Sequence, residues 1–282
     1  MRLSIGTAQF GFKYGLNKRK IKSTEIQKIK KIIQKQDIDC LDTSINYGKS
    51  EHIIGNLRLK KKIITKITLP KNKIKNLNNW YKNTLNNSLR KLKVPSLYAL
   101  LVHNTSDILS GNKEFLNLLL DSKKKKLIKK IGISVYEIKE VKKILKFWIP
   151  DIIQLPLNII DQRFLKSNFL KELKKKRIEI HVRSCFLQGI LLKSHLEIGN
   201  KKSKKIFKNF LRWCKKKKIN QLTACLHFIK KIKQINSLVV GFENEAQLKE
   251  IIYIFNKKTI NVPNKFTINE KKVIDPRKWN HK

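Results

Sequence analysis

The stretch DIDCLDTSINYGKSEHIIGNLRLKKKIITKI, residues 37–67, contains one complete strand–helix–strand unit. Its first part, 37–44, and its last part, 61–67, have the apolar runs of buried strands, and 50–57 has the pattern of a short helix. A strand, a helix and a second strand in succession predict two parallel strands joined by a right-handed crossover. The same unit recurs along the chain, and this recurrence decides the fold class.

Eight strand-like segments alternate with helical segments between residues 2 and 256. They are RLSIGTAQF (2–10), DIDCLDTS (37–44), KKIITKI (61–67), LYALLVHN (97–104), KKIGISVY (129–136), DIIQLPLN (151–158), IEIHVRS (178–184) and NSLVVGF (236–242). Several are near-continuous apolar runs, as expected for strands that are buried on both faces. No tract rich in Gly, Ser or Pro interrupts the alternation. Eight such units predict an α/β protein folded as one closed (β/α)8 barrel, the TIM-barrel fold, rather than an open sheet.

The helices are predicted between these strands and after the last one. Their approximate ranges are 24–36, 50–57, 68–91, a segment ending at 120, 137–147, 166–176, one or two helices within 202–233, and 244–256. We expect residues 1–282 to form a single domain, with the barrel core in about 1–256 and a C-terminal extension in 257–282. Two placements are open for the extension: it closes over the site, or it runs along the barrel.

The composition is that of a folded protein. Apolar residues make up 41% of the chain and charged residues 30%, which excludes an intrinsically disordered protein. No apolar run approaches the roughly 18 residues of a membrane span, and the N-terminal sequence lacks the pattern of a secretory signal. We therefore predict a cytoplasmic protein without a membrane span. The sequence does not indicate an oligomeric state.

The chain is strongly basic. Lys and Arg number 65 against 20 Asp and Glu, so the formal net charge is +45. Of those 65 residues, 56 are Lys and 9 are Arg, whereas tight phosphate binding usually relies on the planar fork of Arg. We interpret the charge mainly as a compositional bias, with contact to nucleic acid as a second, less favoured interpretation.

Three basic runs carry part of this charge, at 123–126, 174–177 and 215–218. The first two end a predicted helix just before a strand, so they belong to the bottom face of a barrel, away from the carboxyl ends of the strands. The third run ends a helix that leads into another helix. The alternative function is therefore a barrel that binds a polyanion, such as RNA or a membrane surface, or a protein partner, through a lysine-rich bottom face.

The cysteines indicate neither a metal site nor a disulfide. Cys40, Cys185, Cys214 and Cys225 form no CxxC pair and have no zinc-site spacing with the histidines. We predict free, reduced thiols and no bound metal.

Polar residues stand at the carboxyl ends of several predicted strands, where the active sites of barrel enzymes form. They are Asp42, Lys66, His103, Ser134, Gln154 and Arg183, and Tyr47 follows Asp42 by five residues. A buried carboxylate or ammonium is costly unless it is paired with an opposite charge. We therefore expect Asp42 and Lys66 to meet on neighbouring strands.

The run LDTSINYGKSEHIIG (41–55) resembles the signature of the aldo-keto reductase family. Further similarity to that family lies in GTAQFG (6–11), GISVY (132–136), IIQLPLN (152–158), RSCFLQGILL (183–192) and VVGFENEAQL (239–248). The resemblance covers roughly residues 1–255, in the family's order and spacing. It implies an NADPH- or NADH-dependent enzyme that reduces a small-molecule carbonyl compound.

The resemblance also implies a role for each of four residues. Tyr47 would donate a proton to the carbonyl oxygen, and Lys66 would lower the pKa of that phenol. Asp42 would hold Lys66 in place, and His103 would orient the carbonyl. The opening GTAQFGFKYGLN (6–17) resembles a bacterial branch often linked with surface-polysaccharide or nucleotide-sugar biosynthesis, which indicates a sugar-derived substrate.

Seven further positions are implied to bind the cofactor. Ser134 and Gln154 would hold the nicotinamide carboxamide. Arg183, followed by Ser184, has the position of a side chain that stacks under the nicotinamide ring. The pyrophosphate and adenosine would lie near a last group of residues, Gly241, Asn244 and Gln247. The basic residue that commonly contacts a 2′-phosphate is not evident in 241–250. A preference for NADPH is therefore implied only by the family's usual cofactor, and NADH is the alternative.

Overall fold

A computed structural model describes residues 1–72 and 74–279 of the chain. Eight parallel strands form a closed barrel in chain order, with β8 paired to β1. The strands are β1 Arg2–Gly6, β2 Ile38–Asp42, β3 Lys62–Ile67, β4 Leu97–Val102, β5 Ile128–Ser134, β6 Ile152–Pro156, β7 Glu179–Arg183 and β8 Ser237–Val240. The predicted (β/α)8 barrel is confirmed. Residues 280–282 of the predicted extension, and residue 73 in the predicted helix 68–91, lie outside the described residues.

Helices connect the strands on the outside of the barrel. They are α1 Ala8–Gly11, α2 Ser23–Lys35, α3 Ser50–Leu57, α4 Leu77–Leu92, α5 Ser106–Leu109, α6 Lys113–Lys124, α7 Ile138–Ile144, α8 Phe169–Lys175, α9 Lys201–Lys216, α10 Gln221–Lys230, α11 Glu245–Asn256 and α12 Lys271–Ile274. Short 3₁₀ segments cover Arg163–Asn168, Leu187–Leu192, Asn264–Phe266 and Pro276–Lys278.

Three predicted boundaries were wrong, each for a local reason. The first strand ends at Gly6, because the chain turns there into α1, where the Phe10 N–H donates to Thr7 O at 3.0 Å. The long helix predicted from residue 68 begins only at Leu77, where the Asn76 side chain accepts the Asn79 N–H at 2.9 Å as an N-cap. The segment ending near residue 120 divides into α5 and α6 at Gly111, whose φ of +84° is readily adopted only by glycine.

The barrel interior has an apolar middle, and it is polar at the carboxyl ends of the strands. A separate cluster of fully buried side chains fills the middle, formed by Cys40, Ile64, Ala99, Leu101 and Ile152. Successive side chains of a strand point to opposite faces, so residues two positions further along share the interior face. The sequence therefore places the polar side chains at the carboxyl ends of the strands directly above this apolar layer.

Two of the basic runs lie at the opposite end of the barrel, as predicted. Helix α6 ends at Lys124, four residues before β5, and α8 ends at Lys175, four residues before β7. The run 215–218 ends α9 and precedes α10. Binding of a polyanion or a protein partner to this face stays a prediction.

All four cysteines are buried free thiols, as predicted. Within residues 1–72 and 74–279, no helix has both the length and the apolarity to cross a membrane. The same residues contain no group of three or more His, Cys, Asp or Glu side chains that could hold a metal ion.

The contact between α3 and α4 depends on Gly55. A Cβ atom at this position would lie 2.1 Å from Lys91 O and 2.8 Å from the Leu92 carbonyl carbon. We expect Gly55→Ala to push the two helices apart and to lower the free energy of unfolding by about 1–3 kcal/mol. Thermal unfolding followed by circular dichroism measures this loss as a lower Tm. Asn56→Ala, at the next, exposed position of α3, is the control; equal Tm values for the two variants would contradict the prediction.

Candidate active site

A buried ion pair joins the ends of β2 and β3. Lys66 Nζ lies 2.5 Å from Asp42 Oδ1, and the two residues are only 1% and 4% exposed. Lys66 Nζ also donates to Thr43 O at 3.0 Å. The second carboxylate oxygen of Asp42 accepts a hydrogen bond from Gln154 Nε2 at 2.7 Å. The predicted meeting of Asp42 and Lys66 is confirmed, and each charge has a partner that offsets its desolvation.

Tyr47 lies in the loop that follows β2, with its ring beside the ion pair. The centre of the ring is 5.3 Å from Lys66 Nζ. Burial raises the pKa of Tyr47 above its ordinary value, the Asp42 charge raises it further, and Arg183 lowers it. The resemblance implied that Lys66 lowers this pKa, but Asp42 already neutralises Lys66 and desolvation dominates. Tyr47 therefore keeps its proton at neutral pH, as a proton donor requires.

His103 follows β4 and faces Tyr47 across the barrel mouth. The two ring centroids are 6.0 Å apart in an edge-to-face arrangement. Burial lowers the pKa of His103 to about 3, and the charges of Lys66 and Arg183 act in the same direction. The imidazole is therefore neutral at physiological pH. Its Nδ1 atom lies 3.2 Å from Ser44 Oγ, a contact that the sequence analysis did not identify.

These side chains open into one cavity of about 560 Å³ at the carboxyl ends of the strands. The cavity is lined by ten of the eleven residues implied by the resemblance, namely Asp42, Tyr47, Lys66, His103, Ser134, Gln154, Arg183, Ser184, Gly241 and Gln247. Asn244 is not among its lining residues; its side chain accepts the Gln247 N–H at 2.9 Å and caps α11. Gln247 itself accepts the Glu243 N–H at 2.8 Å.

The cavity also has lining residues that were not predicted from the sequence. Gln9, Tyr136 and Glu243 line it, although no strand-end pattern singled them out. Pro276 and Arg277 line it as well, so the C-terminal extension reaches the site. The extension is anchored there in part by Arg163, whose Nη2 donates to Ile274 O at 3.3 Å.

The loop after α1 crosses the cavity mouth. Asn17 Nδ2 donates to Glu243 Oε1 at 2.8 Å, and the Leu16 N–H donates to Gln188 O at 3.1 Å. Tyr14 and Gly15 of the same loop line the cavity. The loop therefore joins the segments that follow β7 and β8 across the opening.

The polar groups of the cavity fit a nicotinamide cofactor. Gln154 Oε1 is buried and has no hydrogen-bond partner within the part of the chain that the structure describes. An orphaned amide oxygen in a cavity wall suits an NH₂ donor such as a carboxamide, because a buried acceptor without a donor is costly. Ser134, 3% exposed, lines the cavity on the neighbouring strand β5 and pairs with Gln154 in register.

Comparison with known proteins identifies the family. The model of the Aldo/keto reductase family matches residues 2–263. The chain belongs to this family. It is an NAD(P)H-dependent oxidoreductase of the carbonyl-reducing kind. The resemblance drawn from the sequence motifs is thus confirmed. A search of the curated proteins found no match.

Solved aldo-keto reductase structures share the fold. The holo form of an aldo-keto reductase from Bacillus halodurans superposes with a TM-score of 0.73 at 17% identity, covering 92% of this chain and 88% of that one. A glycerol dehydrogenase from Gluconobacter oxydans has a TM-score of 0.68 at 16% identity, with 92% and 88% covered. An aldo-keto reductase from Klebsiella pneumoniae in complex with NADPH has a TM-score of 0.66 at 14% identity, with 90% and 85% covered. At these identities the likeness concerns the fold.

The buried ion pair generates a prediction about stability. Asp42→Asn leaves the Lys66 ammonium buried without a counter-charge, which we expect to cost about 3–5 kcal/mol of unfolding free energy. Lys66→Met leaves the Asp42 carboxylate buried without a counter-charge. The double variant should lose much less than the sum of the two single losses, as measured by urea unfolding. Strict additivity of the two effects would contradict the pairing.

The lowered pKa of His103 predicts acid sensitivity. An unfolded histidine binds a proton below about pH 6.5, whereas folded His103 does so only below about pH 3. Between these values the unfolded state binds more protons, so stability falls as the pH falls. At pH 4.5, two units below the pKa of an unfolded histidine, the loss attributable to this group is about 2.5 kcal/mol.

Replacement of His103 tests this dependence. We expect His103→Asn to reduce the difference in unfolding free energy between pH 7 and pH 4.5. The control is His52→Asn, because His52 is exposed on α3. If both variants keep the wild-type pH dependence, desolvation of His103 is not the cause.

Proposed function

We propose that this enzyme reduces an aldehyde or ketone to an alcohol, with Tyr47 as the proton donor. The observation that carries the proposal is the shared cavity: a buried Lys66–Asp42 pair, a protonated Tyr47 and a neutral His103 all face one space. A proton donor beside a fixed cation, with a neutral hydrogen-bond donor opposite, suits a carbonyl oxygen that gains negative charge.

Each side chain has one task in this mechanism. The reduced cofactor, when bound, supplies a hydride to the carbonyl carbon. The Tyr47 hydroxyl donates its proton to the carbonyl oxygen as charge develops there. The mechanism requires the single imidazole proton of His103 at Nε2. Ser44 Oγ, which lies 3.2 Å from Nδ1 and 3.3 Å from Lys66 O, then donates its one proton to Nδ1. The Nε2–H group then orients the carbonyl oxygen towards Tyr47.

The Lys66 ammonium stabilises the state that follows proton transfer. A tyrosinate at Tyr47 carries a negative charge near the Lys66 ammonium, whose Nζ lies 5.3 Å from the ring centre. Asp42 holds that ammonium on one side and keeps it charged in spite of its burial. The Lys66 ammonium therefore offsets part of the cost of ionising a buried phenol, whereas the Asp42 charge adds to that cost.

The cofactor is NADPH or NADH in this proposal. Ser134 and Gln154 hold the carboxamide, and Arg183 with Ser184 flanks the nicotinamide. Gly241, Asn244 and Gln247 lie on the pyrophosphate and adenosine side, where the amino-terminal end of α11 favours negative charge. We propose a sugar-derived carbonyl substrate, a cytoplasmic location, and a single domain over 1–282 with its core in about 1–256. The glycerol dehydrogenase of the same fold is likewise named for a polyol.

Tyr47→Phe tests the proton donor. We expect about a thousandfold loss of kcat, measured by cofactor oxidation at 340 nm, because phenylalanine has no proton to donate at the position beside Lys66. The control is Tyr81→Phe, which removes a buried hydroxyl on α4 that donates to Ser122 Oγ at 2.9 Å and does not line the cavity. Wild-type turnover by Tyr47→Phe would overturn the mechanism.

Cofactor binding is measured separately by fluorescence quenching with NADPH and with NADH. We expect Tyr47→Phe to bind the cofactor within a few-fold of the wild-type Kd, since the lost hydroxyl serves the carbonyl. The tighter of the two titrations identifies the physiological cofactor. If neither nucleotide quenches the wild-type protein, the proposed cofactor site is wrong.

A further inference from the structure

Four cationic side chains line the cavity: Lys66, Arg183, Lys193 and Arg277. Within residues 1–72 and 74–279, Lys66, Lys193 and Arg277 each lie within 4.0 Å of a carboxylate oxygen. The Arg183 guanidinium has no such partner among these residues. It is therefore a cavity charge without a carboxylate in contact; Asp161, which pairs with Arg163, is near enough for the Arg183 charge to act on its pKa.

Arg183 is held in position by neutral groups. Its Nη2 atom donates to Val135 O at 3.1 Å, and its Nη1 atom donates to Ser184 Oγ at 3.3 Å. The central carbon of its guanidinium lies 4.1 Å from the centre of the Tyr136 ring. These contacts orient the group without removing its charge. A charge without a carboxylate in contact, in a partly buried cleft, favours the binding of an anion.

Arg277 brings a second guanidinium to the same aromatic ring. Its central carbon lies 3.5 Å from the centre of the Tyr136 ring. Asp275, 1% exposed, accepts from Arg277 Nε at 2.9 Å and from Nη2 at 2.7 Å. This carboxylate compensates the charge and fixes the plane of the guanidinium. No hydrogen bond of Arg277 Nη1 is formed within the described part of the chain, so this atom has donors to offer.

The acidic residues of the cavity lie elsewhere. Asp42 is committed to Lys66, and Glu243 accepts from Asn17 at the other rim. Near Tyr136, Glu137 and Asp161 both contact Arg163 rather than Arg183. The wall formed by Arg183, Tyr136 and Arg277 is therefore the positive side of the cavity, and we name it the arginine wall.

The arginine wall is close enough to act on the reacting groups. The charge of Arg183 lowers the pKa of both Tyr47 and His103. A group bound at the wall therefore lies near the carbonyl that these two residues address, within the same cavity of about 560 Å³.

We propose that the carbonyl substrate carries an anionic group, a carboxylate or a phosphate, that binds at the arginine wall through Arg277. The Arg183 charge, which flanks the nicotinamide in the proposed function, adds to the positive potential there. Arg277 Nη1 can donate charge-assisted hydrogen bonds to such an anion, and these bonds are about twice as strong as neutral ones. The inference rests on the proposed reductase function and adds a substrate class to it. Arg277 is a specificity-determining residue that comes from the C-terminal extension.

The pyrophosphate of the cofactor is a second anion that the arginine wall could bind. The experiment therefore measures substrate selectivity and cofactor affinity independently. Selectivity is the ratio of kcat/KM for an anionic aldehyde to that for a neutral aldehyde of similar size. The pairs are succinic semialdehyde with butanal, and glyceraldehyde 3-phosphate with glyceraldehyde. Cofactor affinity is the Kd from fluorescence quenching.

We expect wild-type protein to prefer the anionic member of at least one pair by about tenfold or more, a difference of about 1.4 kcal/mol in transition-state binding. Arg277→Gln should lower that ratio about tenfold, mainly through a higher KM for the anionic aldehyde, and Arg277→Lys should restore part of it. Arg90→Gln, which removes an exposed positive charge on α4, should keep the wild-type ratio.

Three outcomes separate the explanations. Reduction of the neutral aldehydes with a selectivity ratio near one in the wild type overturns the anionic substrate and leaves the reductase function standing. A raised cofactor Kd in Arg277→Gln with an unchanged ratio assigns the arginine wall to the pyrophosphate and also overturns the inference. Failure to reduce any of the four aldehydes while the cofactor binds removes the proposed function itself.

Discussion

Lys66 Nζ and Asp42 Oδ1 lie 2.5 Å apart inside the barrel, where neither charge has bulk water around it. Because an unpaired charge there would cost several kcal/mol, the pair requires β2 and β3 to keep their register and their carboxyl ends to stay level. Gln154 from β6 reaches across to the second oxygen of Asp42. One carboxylate thus ties three strands together at the height where the cavity begins.

The same low-polarity surroundings determine the protonation states of Tyr47 and His103. Desolvation keeps Tyr47 protonated and His103 neutral, so each has a proton to offer to a carbonyl oxygen. A more open site would leave His103 to titrate near neutral pH and would solvate the developing charge with water instead of fixed donors. Burial is therefore part of the proposed chemistry as well as of the stability of the barrel.

The high net charge has little to do with this site. Most lysines are exposed, on helices and in loops, and two of the basic runs lie at the end of the barrel opposite the cavity. The positive charge that matters for the proposed substrate resides on two of the nine arginines, Arg183 and Arg277. A rigid planar guanidinium that packs on an aromatic ring can hold an anion in one orientation, whereas a flexible lysine cannot do so as well.

By itself, the sequence determined the barrel and most of the site. Alternation of apolar runs with amphipathic helices specifies a parallel sheet, and strand-end polarity identified Asp42, Lys66 and His103, because side chains two positions apart on a strand share a face. Only the tertiary structure decided that burial raises the pKa of Tyr47, that Ser44 contacts His103, and that Arg277 lies beside Arg183 at Tyr136. These contacts join residues that are distant in sequence or depend on burial, and no local periodicity encodes either.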